Sequence, residues 1–318
     1  MDTSESLDKQ ILNYLYASYF ERDGDGNLKE LSLECAVDEN AFWKVADRLS
    51  DESYIRSYAS GYAYIITTRG IIEAEQRDFI PAEKKNANQE ARILILRHLA
   101  DVYERGDINS EASFDEIMQQ TRLGQKTLLQ NSQVLDELGY TESISMGMSK
   151  ITHEGLNAFE EWKIRKQLSS DFETISKLKP HKRGMQFQSL FRRVLESALW
   201  RAEEGVRTSH EEMDVILSRG REYYLAECKW EKDPIEAEVV RELLGKLANR
   251  VDVKGLIVSM SGFTQGAIEQ ALQSASQRII LLFGPNDVRS LVYGQDSFDA
   301  LLDSKYNALI TRKKMLLD

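Results

Sequence analysis

The first 160 residues contain the same sequence pattern twice, and this duplication limits the possible fold more than any other feature. An Asp-Glu pair, an Ile-Thr pair, a glycine and a glutamate recur 85 positions apart. The first set is Asp51, Glu52, Ile66, Thr67, Gly70 and Glu75, and the second is Asp136, Glu137, Ile151, Thr152, Gly155 and Glu160. A period of 85 residues is too long for a solenoid, so the pattern predicts two copies of one small domain.

Each copy has the periodicities of three helices, a β-hairpin and a closing helix. In the first copy, residues 11–20 and the segment after Asp38 are amphipathic, and segments 54–58 and 62–67 alternate on either side of a turn at Gly61. In the second copy, segments 140–144 and 148–152 flank Gly147 in the same way. The end of each copy resembles a winged helix-turn-helix domain. We therefore expect two winged helices, at residues 1–80 and 88–165.

The third helix of the second copy is the better candidate for DNA contact. Winged helices often place this helix in the major groove. Residues 121–133 carry Arg122, Lys126 and several glutamine and asparagine side chains, which can contact phosphates and base edges. The matching helix of the first copy is more acidic. If either copy binds DNA, we expect Arg122 and Lys126 to do so; a scaffold or dimerisation role is an equally open alternative.

Charge and cysteine content restrict the class of protein. The net charge of −11 argues against a nucleic-acid partner, but almost all of the negative excess lies before residue 181 and the rest of the chain is close to neutral. Cys35 and Cys228 are far apart and form no metal-binding spacing. No apolar run is long enough to span a membrane, and the N-terminus is acidic. These features predict a soluble protein of the reducing cytoplasm.

The second half of the chain alternates helices and strands. After a linker at residues 166–182, the pattern predicts a helix over 184–203 and two strands over 213–218 and 222–230. A helix over 235–250, a strand over 254–259, a helix over 264–275 and a strand over 278–283 follow. The central strands are apolar on both faces, which predicts an α/β domain over 183–318 with a mixed sheet flanked by helices.

Three charged residues on the first two strands are candidates for chemistry. Glu227 and Lys229 are two positions apart and share one face of a strand. If Gly220 and Arg221 form a two-residue turn, the register places Asp214 opposite Glu227, with Cβ atoms about 4.5–5.5 Å apart. Two carboxylates so close are costly unless a cation bridges them, and Mg²⁺ prefers such oxygen ligands.

The ordered set of motifs over residues 182–306 resembles the PD-(D/E)xK nuclease superfamily and, within it, the Mrr-like restriction endonucleases. The motifs are Arg183-Gly184-x-x-Phe187, Glu211-x-x-Asp214, Glu227-Cys228-Lys229, Gly245-Lys246 and Lys254-Gly255-Leu256 through Phe263. The resemblance implies that Asp214, Glu227 and the Cys228 carbonyl bind Mg²⁺ or Mn²⁺. It also implies that Lys229 assists the attacking water.

Some positions depart from the family pattern, and at others the sequence is compatible with two different roles. Gln188 stands where the family usually has a glutamate, which weakens a second metal position, and Glu211 is either an additional ligand or a solvated acid. Lys246 and Arg250 are four residues apart on one helix face, where they would meet DNA phosphates or solvent. Thr264 is expected to cap the helix that follows it.

Together these features predict a Mg²⁺-dependent endodeoxyribonuclease, with a role in defence against foreign DNA implied by the resemblance. Cutting both strands requires two sites, so a homodimer or a larger assembly on DNA is expected. The alternative is a DNA-binding or regulatory protein whose nuclease-like domain is inactive. A partner that activates the site is a further open alternative.

Overall fold

The structure, a computed structural model, describes residues 3–22, 24–35, 37–58, 62–106, 110–145, 147–207 and 212–316. Its elements form two compact units, Met1–Glu160 and Glu161–Asp318. No helix within these described ranges has the length and apolar character needed to cross a membrane.

Two sets of elements follow each other in the same order, and all of them except the C-terminal part of the last helix lie in the first unit. The first set is α1 (Thr3–Phe20), β1 (Gly26–Asn27), α2 (Leu28–Glu34), α3 (Glu39–Asp51), β2 (Ile55–Ser57), β3 (Ala63–Ile66) and α4 (Thr68–Gln76). The second set is α5 (Ala82–Arg105), β4 (Ala112–Ser113), α6 (Phe114–Thr121), α7 (Gln125–Glu137), β5 (Thr141–Ser145), β6 (Met148–Ile151) and α8 (His153–Ser176). Each set forms a three-stranded antiparallel sheet, in the orders β1-β3-β2 and β4-β6-β5. The duplication predicted from the sequence is therefore present in the structure.

Of the two glycines predicted to form hairpin turns, the structure describes one. Gly147 has a φ of +86°, a left-handed conformation that suits glycine. Gly61 lies outside the described residues.

A threonine and a glycine of the repeat make the same contacts in both copies. The Thr67 hydroxyl accepts a hydrogen bond from the Gly70 amide at 3.0 Å, and Thr152 accepts one from Gly155 at the same distance. A Cβ atom on either glycine would lie 2.0 Å from a hairpin carbonyl oxygen, that of Tyr54 or that of Tyr140. The helix therefore approaches the hairpin more closely than any residue with a side chain allows.

A buried ion pair connects the two copies. Arg92 of α5 places Nη2 at 2.7 and 2.6 Å from the two carboxylate oxygens of Glu75 in α4, and both residues are buried. The Tyr16 hydroxyl donates to the same carboxylate at 2.9 Å. Glu160, the repeat counterpart of Glu75, is exposed. The repeated glutamate therefore stands in different environments in the two copies.

The second unit is built around a five-stranded sheet with the order β11-β10-β9-β8-β7. Strands β7, β8 and β9 are antiparallel, and β9, β10 and β11 are parallel. The elements are α9 (Pro180–Ser197), β7 (Arg201–Arg207), β8 (Glu212–Arg219), β9 (Glu222–Lys229), α10 (Ala237–Ala248), β10 (Val253–Ser259), α11 (Gln265–Ser274), β11 (Ile280–Phe283), α12 (Pro285–Tyr293) and α13 (Phe298–Arg312). The predicted mixed sheet with flanking helices is confirmed, and the central strands are buried on both faces.

The prediction of a helix over 184–203 is wrong at its C-terminal end. Helix α9 ends at Ser197, Leu199 takes a left-handed conformation with φ +61°, and residues 201–207 form the edge strand β7. Arg201, Glu203 and Glu204 are exposed, so this strand lacks the apolar alternation that identifies a half-buried strand in a sequence.

The segment 166–182, which the sequence assigns to a linker, lies in α8, in the turn that follows it and in the first turn of α9. Leu168, Phe172 and Ile175 are buried in the core of the second unit. These contacts attach the segment to that unit, while the winged-helix domain boundaries remain a prediction.

The glycine contacts yield a stability prediction. We expect Gly70→Ala and Gly155→Ala each to lower the free energy of unfolding by about 1–3 kcal/mol, because the added methyl group has no space beside the hairpin carbonyl. Urea denaturation followed by circular dichroism measures the change. Gly184→Ala is the matched control, since Gly184 also lies within a helix and a Cβ there meets nothing within 4 Å. Equal stabilities of all three variants would contradict the close approach.

Candidate active site

The hairpin between β8 and β9 sets the geometry of the site. Gly220 has a φ of +61°, as a tight two-residue turn requires, and Arg219 pairs with Glu222. The pairing continues in the same register to Val215 opposite Ala226. Extended by one step, the same register sets Asp214 opposite Glu227, as the sequence predicts, and the charge of Asp214 raises the pKa of Glu227.

Asp214, Glu227 and Lys229 come together on this hairpin. Lys229 Nζ lies 3.4 Å from Glu227 Oε2 and 3.7 Å from Asp214 Oδ2. Asp214 Oδ2 also accepts a hydrogen bond from the Cys228 amide at 2.9 Å, which fixes the aspartate against β9. Glu227 is only 7% exposed. The structure therefore gathers the three predicted catalytic residues in one partly buried cluster.

Lys246 of α10 adds a second ammonium group to this cluster. Its Nζ lies 2.5 Å from Glu227 Oε1, so each carboxylate oxygen of Glu227 faces a different lysine. The sequence places Lys246 on a phosphate-binding face, and only the packing of α10 beside β9 reveals its contact with Glu227. Arg250, four residues later, donates to the Lys246 carbonyl and to the Met213 sulfur.

Burial and charge act on the ionisable groups in opposite directions. Burial and the neighbouring Asp214 raise the pKa of Glu227, while Lys246 and Lys229 oppose that rise. Burial disfavours the charged form of Lys229, but Asp214 and Glu227 outweigh it, so the pKa of Lys229 is raised. Lys229 is therefore an ammonium group at neutral pH. Burial raises the pKa of the Cys228 thiol well above its usual value.

The donor set fits a divalent cation. Asp214 and Glu227 supply carboxylate oxygens on neighbouring strands, and such oxygens are the ligands that Mg²⁺ prefers. Among the described residues, no group of three or more histidine, cysteine, aspartate or glutamate side chains forms a metal cluster. Among the residues that the structure describes, a backbone oxygen such as the Cys228 carbonyl, or water, would complete the coordination.

The two additional candidate residues gain no support. Gln188 is half-buried on α9 and forms no hydrogen bond within the part of the chain that the structure describes. Glu211 lies outside the described residues. Thr264 caps α11, accepting from the Ala267 amide at 3.3 Å, as predicted.

The polar side chains of α7 contact the first copy instead of lying free for DNA. Lys126 Nζ donates to the carbonyls of Glu21 and Arg22 at 3.2 and 2.7 Å. Gln130 donates to the Tyr19 carbonyl, and the Tyr19 hydroxyl donates to Gln133. Arg122 follows α6 in a left-handed conformation. The prediction of DNA contact through Arg122 and Lys126 is untested, and this packing was not visible in the sequence.

Residues 181–290 match the family model of the Mrr-type catalytic domain, described as a restriction endonuclease. This part of the chain is therefore similar to the catalytic domain of that restriction endonuclease family. No curated protein matched the sequence.

Several solved structures show weak similarity to the chain. A protein of unknown function, AF1548, is 21% identical over 38% of this chain and 66% of its own length, with a TM-score of 0.28. The restriction endonuclease MspJI, in complex with a 27-mer oligonucleotide, is 21% identical over 45% of this chain and 36% of its own, with a TM-score of 0.29. The restriction endonuclease FokI is 10% identical over 85% and 61%, with a TM-score of 0.29. The chain thus spans less than two thirds of the length of each of these structures.

The contact between Lys246 and Glu227 yields a prediction about cation binding. We expect Lys246→Met to increase the affinity for Mg²⁺ or Mn²⁺ by about tenfold, a difference of ~1.4 kcal/mol. The reason is that the lysine ammonium contacts a carboxylate oxygen that a metal ion would use. Isothermal titration calorimetry on the metal-free protein measures the affinity.

Arg241→Met is the matched control, because it removes a positive charge from an exposed position of the same helix. Equal affinities of the Lys246 variant and the wild type would contradict competition between the lysine and the metal.

Proposed function

We propose that the protein is a divalent-metal-dependent endodeoxyribonuclease that hydrolyses DNA phosphodiester bonds at Asp214, Glu227 and Lys229. The observation that carries the proposal is the convergence of these three side chains on the β8–β9 hairpin. They lie inside the segment that matches the restriction endonuclease family. A role in defence against foreign DNA belongs to the same proposal.

Each of these side chains has its own role in the proposed hydrolysis. Asp214 and Glu227, with the Cys228 carbonyl, would hold the metal ion. A bound Mg²⁺ lowers the pKa of water and polarises the phosphate group. Lys229 carries its proton on Nζ at neutral pH, so it donates hydrogen bonds to the attacking water and to the phosphate oxygens on which negative charge develops. Lys246 contacts Glu227 Oε1, so the carboxylate would exchange this ammonium group for the metal ion on binding it.

The first unit would supply target selection or contacts between copies. Its two element sets have the helix and strand order expected of tandem winged helices. The ion pair of Glu75 with Arg92 and the contacts of α7 with α1 hold the two copies together. A homodimer would provide the two sites that double-strand cleavage requires.

Cleavage of supercoiled plasmid tests the proposed function. We expect nicking in Mg²⁺ or Mn²⁺, no nicking in EDTA, and a loss of at least about 100-fold in Asp214→Asn and in Lys229→Ala. The first variant weakens the site that would hold the metal ion, and the second removes the ammonium group that stabilises negative charge on the phosphate. Methylated and unmethylated plasmid should both be tested.

Lys232→Ala is the control for the lysine variant, because this exposed residue lies three positions further along the chain. Cleavage that persists unchanged in both site variants would show that the activity does not arise at this site.

The alternative function is DNA binding or regulation by an inactive nuclease-like domain. Gln188 favours it, because this residue brings no charge at the position where the family resemblance implies a glutamate. Wild-type protein that binds duplex DNA but cuts none of it in any metal would support this alternative.

A further inference from the structure

The turn between α8 and α9, together with the first residues of α9, carries a concentration of positive charge that the proposed site does not use. We call residues 177–183 the basic turn; it contains Lys177, Lys179, Lys182 and Arg183, together with His181. The chain has no aspartate or glutamate from residue 174 to residue 195. In a protein with a net charge of −11, this segment has the sign of charge that a polyanion requires.

Aromatic packing fixes the basic turn beside the end of β9. Phe172, near the end of α8, stacks on Trp230 with ring centroids 5.2 Å apart, and Phe187 of α9 contacts the same ring edge-on at 5.3 Å. Arg183 donates from Nη2 to the Trp230 carbonyl at 3.3 Å, and its guanidinium lies 5.4 Å from the centre of the indole ring. Trp230 directly follows Lys229, so the basic turn is held next to the candidate catalytic strand.

The lysines of the turn face solvent. Lys177, Lys179 and Lys182 are exposed, and none of them forms an ion pair within the described residues. The loop after Trp230 contributes Glu231, Lys232 and Asp233, a net charge of −1 that is smaller than the charge of the turn. The surface beside the site is therefore positive overall and open to a ligand.

The position and charge of the turn favour one kind of partner. A duplex that places one phosphodiester bond at Lys229 presents further phosphates on both sides, one for about every 3.4 Å of helix axis on each strand. Lysine ammonium groups contact such phosphates as point charges, without reading the base sequence. The aromatic anchor holds the backbone of this segment in place before DNA arrives, so the backbone loses little conformational freedom on binding.

We propose that the basic turn, through Lys177, Lys179 and Lys182, binds the phosphodiester backbone of duplex DNA beside the bond to be cut. This inference rests on the proposed function, because the substrate is the same. It assigns to these lysines a positioning role on DNA that is separate from the chemistry at Asp214, Glu227 and Lys229.

Duplex binding without cleavage tests this assignment. Fluorescence anisotropy with a labelled 30-base-pair duplex, in EDTA and over a series of NaCl concentrations, compares the full chain with its triple variant Lys177→Ala/Lys179→Ala/Lys182→Ala. We expect at least a tenfold loss of affinity at low salt. The slope of log K against log [NaCl] should fall by about 2–3, as expected for three lost phosphate contacts.

The matched control keeps the charge. Lys177→Arg/Lys179→Arg/Lys182→Arg should bind as the wild type does, and thermal unfolding should verify that both triple variants are folded. Unchanged affinity and salt slope in the alanine variant would overturn the assignment and leave the proposed nuclease intact. A loss of affinity in the arginine variant equal to that in the alanine variant would do the same. A wild type that neither binds nor cuts DNA would instead refute the proposed function itself.

Discussion

Two carboxylates held side by side are the constraint on which the second unit depends. The β8–β9 hairpin brings Asp214 against Glu227, and burial makes their repulsion more costly than it would be in water. Lys229 and Lys246 offset that repulsion by contacting Glu227 from two directions. The apolar residues on the rest of β9 keep the strand fixed between its neighbours, so the carboxylates cannot separate. The fold therefore keeps two carboxylates close together, in an arrangement that favours the binding of a cation.

The sequence predicted this part of the site because the rules that govern it are local. The two-residue turn at Gly220 sets the register, and the two-residue period of a strand places Glu227 and Lys229 on one face. Lys246 is different, because its contact with Glu227 depends on how a helix crosses back over the sheet. Its helical spacing with Arg250 indicated a shared face but gave no information on what that face would meet. The contact could be found only in the folded chain.

The remaining differences also have physical causes. The polar residues of α7 are suited equally to nucleic acid and to another polar protein surface, and Lys126 and Gln130 contact backbone carbonyls of the first copy. Residue type alone does not distinguish these partners. The repeat predicted two copies of one domain, and the pairing of Glu75 in the first copy with Arg92 in the second connects them. A buried pair of this kind stabilises a single arrangement, because either charge left alone would be costly.

Strand β7, which the sequence did not reveal, has a consequence for assembly. It lies at the edge of the five-stranded sheet, where free backbone groups offer a template on which another strand can pair. Arg201, Glu203 and Glu204 are exposed along this edge, and a second copy docking there would strip water from all three charges. Continuation of the sheet across two molecules is therefore unfavourable. The same charges therefore disfavour edge-to-edge aggregation through β7.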